Sequence, residues 1–233
     1  MSRLVWERQD HHSGVDHGVL YFNNETLPWN GLISVEENTE ESSSSERYLD
    51  GRRIVDRKTD DAFSAAVECF TYPERLVRHG DIFDMSYRSN KGPGYEIHLI
   101  YNALARVGKA KYVHAGSTSL SVDLATRPRA MPLLRAPSAH LIVDTNLAYP
   151  PMVTQLEAIL YGTDDWAPRL PDPEELTALF DANSLFRVVD NGDGTATLTA
   201  PEEVFHWLNA THAVVDWPYV NKVASDTVRL RNF

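Results

Sequence analysis

Apolar residues along this chain recur mostly at intervals of two. Leu120, Val122 and Leu124 alternate with Ser121, Asp123 and Ala125, and Tyr95, Ile97, Leu99 and Tyr101 alternate with Glu96, His98, Ile100 and Asn102. That is the period of a half-buried strand. On this spacing Glu96 and His98 share the outward face, so His98 reads as a strand-surface imidazole beside a carboxylate. Shorter apolar runs predict strands at residues 4–6, 18–22, 29–35, 48–49, 54–55, 62–70, 82–87 and 140–143. Turn residues punctuate them at 23–26, at the Asp50-Gly51 pair, which predicts a tight hairpin, and at 89–94. The runs at 29–35, 48–55 and 62–70 follow one another closely enough to predict a meander. It stops before Pro73, which has no ladder donor to offer.

At Pro151 the period changes. Met152, Val153, Leu156, Ile159 and Leu160 recur at three and four, with Pro151 suited to the first helical position and Gly162 to the stop. Residues 166–173 read as a proline-rich connector. Pro173 then opens a second, short helix through Leu176, Leu179 and Phe180, with Glu174 and Glu175 in its first turn. Residues 74–80 predict one helical turn. Beyond residue 181 the pattern is that of a small α+β appendage: a hairpin turning at residues 191–194, a helix over 202–209 after Pro201, and strands at 213–215 and 227–230. The expected class is mainly β (α+β), a β-sandwich domain over residues 1–181 with one or two helices, followed by the appendage at 182–233.

Composition narrows what such a domain can do. A hydrophobic fraction of 42% with 24% charged residues is that of an ordinary folded protein. Lys and Arg number 22 against 33 Asp and Glu, a net charge of -11. The acidic excess gathers at Glu36, Glu37, Glu40, Glu41 and Glu46, around the serine run 42–45, and again over 164–181. A segment that is all carboxylate and serine buries no apolar surface and repels itself, so it reads as an extended loop. Gripping nucleic acid needs clustered cations, and only Arg52-Arg53 and Lys109 with Lys111 come close. Cys69, the only cysteine, excludes an intramolecular disulfide and reads as a small buried hydrophobe. No run approaches the ~20 apolar residues that cross a bilayer, and the N-terminus shows no signal-like stretch, so cytosolic synthesis without membrane contact is expected.

Candidate chemistry is sparse. His11, His12, Asp16 and His17 cluster, but not at a spacing that holds zinc. Residues 190–194 resemble the start of a calcium loop, yet Pro201 occupies the position of its bidentate glutamate. No phosphate-binding glycine loop, nucleophile elbow or His-Glu-x-x-His motif occurs. On this reading no catalytic, cofactor-binding or metal-binding residue is assigned, and an enzyme needs a pocket that the sequence does not display. Trp6, Trp29, Trp166, Trp207 and Trp217 keep a carbohydrate-binding module as an alternative.

The segments GVDHGVLYF, LPWNGLISVEE, RYLDGRRI, DDAFSAAVECFTYPE, GYEIHLIYNALA, LATRPRA, SAHLIVDT and LEAILYGTDDWAPRLPDPEELTALF occur in this order over residues 14–181. As an ordered set they resemble a tail-protein family of long-tailed actinobacterial phages, whose members are major or minor tail proteins. The resemblance implies a tail-tube-like β-sandwich, a major tail subunit forming stacked hexameric rings around a DNA channel in the virion tail. Its implied partners are copies of itself, other tail proteins and the tape-measure protein, with DNA only as passing cargo and assembly in the host cytoplasm. A distal or minor tail protein forming a ring at the tip is the alternative within the same class. Candidate inter-subunit contacts under this reading are Trp29, Glu36, Glu37, Glu40, Glu41, Glu46, Glu96 and His98, and the acidic loop is expected to be ordered by a neighbour.

Overall fold

The computed structural model describes residues 4, 14–37, 47–49, 52–54, 63–77, 81–108, 111–112, 118–130, 137–181, 185–193, 195–212, 220–224 and 227–231. The strand expected at 4–6, apart from Leu4, and the strand expected at 213–215 lie outside them, as do Glu40, Glu41 and Glu46.

Its strands in the first part of the chain are β1 (Val15–Phe22), β2 (Glu25–Trp29), β3 (Leu32–Glu37), β4 (Arg47–Leu49), β5 (Arg52–Ile54), β6 (Ser64–Cys69), β7 (Phe83–Lys91), β8 (Gly94–Val107), β9 (Lys111–Tyr112), β10 (Thr118–Thr126) and β11 (His140–Asp144). All but β4 and β5 join one antiparallel sheet in the order β2-β1-β7-β8-β10-β6-β3, with β11 beside β8 and β9 beside β10. The protein is thus mainly β, a sandwich with few helices, as its alternating pattern predicts.

Three expectations are corrected. The run 29–35 is two strands, broken at Asn30-Gly31, where Gly31 has φ +87° and a side chain would meet Thr71. The meander is not formed: β3 pairs with β6 directly, while β4 and β5 pair with each other as a separate two-stranded sheet, the Asp50-Gly51 pair between them lying outside the described residues. The segment 89–94 is mostly strand, since β7 and β8 stay paired out to Lys91 and Gly94 around a two-residue turn.

The sheet curls until β1 approaches β3, with Gly18 against Trp29 and Leu32, where an added side chain would push the tip of Leu32 aside. Its inner face encloses Leu20, Phe22, Trp29, Leu32, Val67, Met85, Tyr87, Ile100, Val122 and Leu124. Its other face, carrying Val19, Tyr21, Ile97, Leu99 and Tyr101, is covered by α1 (Pro150–Tyr161) and α2 (Pro173–Leu179) through Val153, Leu156, Leu160 and Leu176. Leu4 joins this second core, and its N–H donates to the Tyr161 carbonyl at 3.0 Å. Central strands are therefore buried on both sides. Two bulges keep them in phase: His17 (φ 51°) in β1 and Asn102 (φ 53°) in β8 shift the inward set from one parity to the other. At Asn102 the backbone N–H donates to the Asp84 carboxylate at 2.7 Å, which anchors the left-handed residue.

The C-terminal part forms its own four-stranded sheet, β12 (Arg187–Asp190), β13 (Thr195–Thr199), β14 (Val220–Ala224) and β15 (Thr227–Arg231), in the order β12-β13-β15-β14. With α3 (Glu202–His212) it closes a third core of Leu198, Val204, Phe205 and Leu208. The Trp207 ring packs on Tyr149 at the start of α1, centroids 5.3 Å apart.

Candidate functional site

One end of the curled sheet's interior is polar. Here β8 and β11 run side by side with His140 opposite Ile100 in register, and β7 lies on the other side of β8 with Tyr87 opposite His98. Even-numbered residues of β8 face inward before the bulge, so His98 follows Ile100 toward the mouth. Glu37, the last residue of β3, reaches the same place from the far edge of the sheet.

The result is a compact cluster. His98 Nδ1 and His140 Nε2 are 2.9 Å apart and share one hydrogen bond. Glu37 Oε1 lies 3.8 Å from His98 Nδ1 and 3.8 Å from His140 Nδ1. On its other side His98 Nε2 meets Ser89 Oγ at 2.9 Å and Glu96 Oε2 at 3.7 Å. Aromatic contacts hold the rings: His98 lies flat on Tyr87 (4.3 Å, 8°), and Phe63 meets His140 at a tilt, centroids 4.4 Å apart.

Burial dominates the electrostatics of this cluster. It pushes His98 down to about 4, against the opposing pull of Glu96, and His140 down to about 3, with the His98 ring adding to the effect. Both imidazoles are neutral near pH 7. Burial and the neighbouring Glu96 charge raise the Glu37 carboxyl. Two neutral imidazoles and one carboxylate make a nitrogen-rich ligand set, the only group of three or more ligand-type residues close enough to hold a metal ion among the described residues.

A second polar group fastens α1 to the sheet. Arg88 of β7 pairs with Asp16 at 3.1 Å and Glu157 at 2.8 Å, and its guanidinium lies 4.6 Å from the centre of the Tyr95 ring. Tyr95 donates its hydroxyl to Glu157 at 2.7 Å, and His17 contacts both Asp16 and Arg88. Beside it opens a cleft of about 300 Å³ lined by Thr154, Glu157, Tyr161, Thr163 and Asp164. Glu157, already committed to Arg88 and Tyr95, is a strut between helix and sheet.

The residues singled out from sequence scatter across these features. Trp29 is 1% exposed and donates its indole N–H to the Thr71 carbonyl at 2.9 Å, so its side chain is taken up by this chain's own core. His98, expected on the strand surface, is 6% exposed, because β8 is covered on both faces. Glu96 does share its face, but is half-buried and ion-paired with Lys91, which also reaches Asp144 at 2.9 Å. Glu36 and Glu37 are exposed at the end of β3. Of the tryptophans, Trp166 is exposed, Trp207 is packed, and Trp6 and Trp217 lie outside the described residues. Cys69 is fully buried as expected, and burial raises its thiol to about 11. Residues 190–193 form a turn in which Asp190 accepts the Gly192 N–H at 2.8 Å. Compared with known proteins, the chain matches no family model, and no curated protein or solved structure is significantly similar to it.

Proposed function

We propose that the chain is a structural subunit of a phage tail, a tube-type β-subunit that assembles with copies of itself into rings. The observation that carries this reading is the state of the strand edges. β12 is an edge strand in which every residue is exposed, including Val188 and Val189, and β11 presents Ile142 half exposed. Monomeric proteins blunt such edges, whereas closed rings of subunits pair them. The resemblance adds a second support: most of its blocks fall on the nine-stranded sheet and on α1 and α2, and one falls on the separate β4–β5 pair. An acidic surface also suits a wall that DNA must pass without being held.

The test is light scattering and negative-stain microscopy of the purified chain, alone and with its neighbouring tail proteins. Rings or tubes are expected, and Val188→Glu with Ile142→Glu should weaken them while leaving the monomer's circular dichroism intact. A strictly monomeric chain under all these conditions sinks the reading. Band densities of purified virions separate tube from tip, since a tube subunit is abundant and a tip ring scarce. Trp166, 73% exposed beside Asp164 and Asp165, favours a carbohydrate-binding surface as a second reading. Glycan binding lost in Trp166→Ala would establish it.

A further inference from the structure

We propose that Glu37, His98 and His140 form a binding site for a divalent transition-metal ion of the Zn²⁺ class, which ties the end of β3 to β8 and β11. One ligand atom from each residue lies within 4.8 Å of the others, on three strands far apart in sequence. Zinc bound at about 2.0–2.1 Å in tetrahedral geometry sets its ligand atoms roughly 3.3 Å apart. The imidazole nitrogens, now 2.9 Å apart, need to open by a few tenths of an ångström, and Glu37 Oε1, 3.8 Å from His98 Nδ1 and within 4.8 Å of the His140 ligand nitrogen, needs to close by about half an ångström on the first leg and by up to about 1.5 Å on the second. The exposed Glu37 side chain has the freedom to do so, and leaves the solvent side for a water as fourth ligand.

The surroundings supply what a ligating histidine requires. Its second nitrogen must donate to an acceptor, which fixes the tautomer and turns the lone pair of the first nitrogen toward the ion. His98 Nε2 has Ser89 Oγ and the Glu96 carboxylate in that place, so Nδ1 presents its lone pair to the gap. Without an ion, His140 must place its Nε2 proton in that gap. With one, the proton moves to Nδ1, on the side of Glu37, and no net proton is released if Glu37 is already ionised. Stacking on Tyr87 restrains the His98 ring, and a tilted contact with Phe63 restrains that of His140. Two nitrogens and one carboxylate suit zinc and its neighbours in the first transition row; calcium, which takes six to eight oxygens, does not fit. The consequence is mechanical. Residues 38–46 leave from Glu37, so the ion fixes the point from which the acidic segment departs, whatever the chain assembles into.

The experiment uses the full chain, stripped with chelator and titrated with Zn²⁺ by calorimetry and with Co²⁺ by visible absorption, alongside metal analysis after dialysis. One ion per chain is expected, with a rise in melting temperature and the d–d bands of low-symmetry Co²⁺. Glu37→Gln and His140→Gln should each weaken binding by about tenfold or more. Glu37 is exposed, so its variant tests the site even where a change at His140 disturbs folding. The N-terminal His11 and His12 are the competing ligands, and His11→Gln with His12→Gln should leave affinity unchanged. Absence of stoichiometric uptake, uptake insensitive to Glu37→Gln, or uptake abolished by the His11 and His12 changes overturns the proposal.

Discussion

Acid should destabilise the metal-free protein through His98 and His140 before it reaches most carboxylates. An ordinary imidazole titrates near 6.5, whereas burial holds these two at about 4 and about 3 in the folded state. Below pH 6.5 the unfolded chain takes up protons that the folded chain refuses. The stability these rings contribute is therefore complete above about 6.5 and is lost as pH falls toward 4 and 3. At pH 5 each ring forfeits about 1.5 pH units of linkage at 1.36 kcal/mol per unit, about 2 kcal/mol, and the pair about 4. Of the charges facing the rings, Glu96 and Glu37 favour protonation, and Lys91 opposes it at His98. Desolvation outweighs them. Urea unfolding at pH 8 and pH 5, with chelator present, measures the loss. With a urea slope of about 2–3 kcal/mol per molar, one ring corresponds to roughly 1 M in the midpoint. His140→Gln should lose less stability between the two pH values than wild type by about that margin. Equal losses in the two proteins would refute burial of neutral imidazoles as the cause.

Other perturbations probe the two cores separately. Leu156→Ala, at a fully buried position of α1, should cost about 2–5 kcal/mol in chemical denaturation, because it opens a cavity between helix and sheet. Tyr21→Phe should cost about 1–3 kcal/mol in the same assay, since the hydroxyl shares a 2.9 Å hydrogen bond with buried Ser86 and donates to the Leu160 carbonyl at 3.0 Å. Gly31→Ala should destabilise by about 1–2 kcal/mol in thermal melts, from the left-handed backbone alone, with crowding against Thr71 adding to it. Cys69 should be inert to a thiol reagent at pH 8 in the native protein and react at once in denaturant; prompt native-state reaction would contradict its burial.

How much of the fold the sequence discloses depends on whether the signal is local. α1 and α2 are legible because their apolar spacing, opening prolines and the stop at Gly162 all lie within a few residues of one another. The alternation of β10 and the antiparallel pairing of β4 with β5 are legible for the same reason. Pairing between distant segments is not. Nothing near residues 29–37 announces that β3 will lie beside β6 and skip the intervening hairpin, so closeness in sequence suggested a meander. The Asn30-Gly31 break was readable in principle as a turn pair, but the apolar residues on both sides masked it. β14 is not legible, because Val220–Ala224 carries only three apolar residues and no alternation long enough to read.

The candidate site failed to show itself for a deeper reason. Parity along β8 correctly puts Glu96 and His98 on one face, but which face is buried depends on what covers each side of the sheet, and α1 and α2 cover the side that carries Ile97, Leu99 and Tyr101. With the sheet curled, the opposite face is an interior as well. A histidine there is enclosed by strands that the local pattern cannot place. The bulge at Asn102 compounds this: it lets Ile100 and Ala103 both point inward, so the strict two-residue period that made His98 look solvent-facing ends just past it. Glu37 and His140 then arrive from β3 and β11, neither carrying a spacing motif, since motifs record ligands that sit on one element. A site assembled from three strands is specified by the register of the sheet. A charge or a deletion that shifts β3 against β6 by one residue should therefore remove Glu37 from the cluster while leaving every ligand in the sequence.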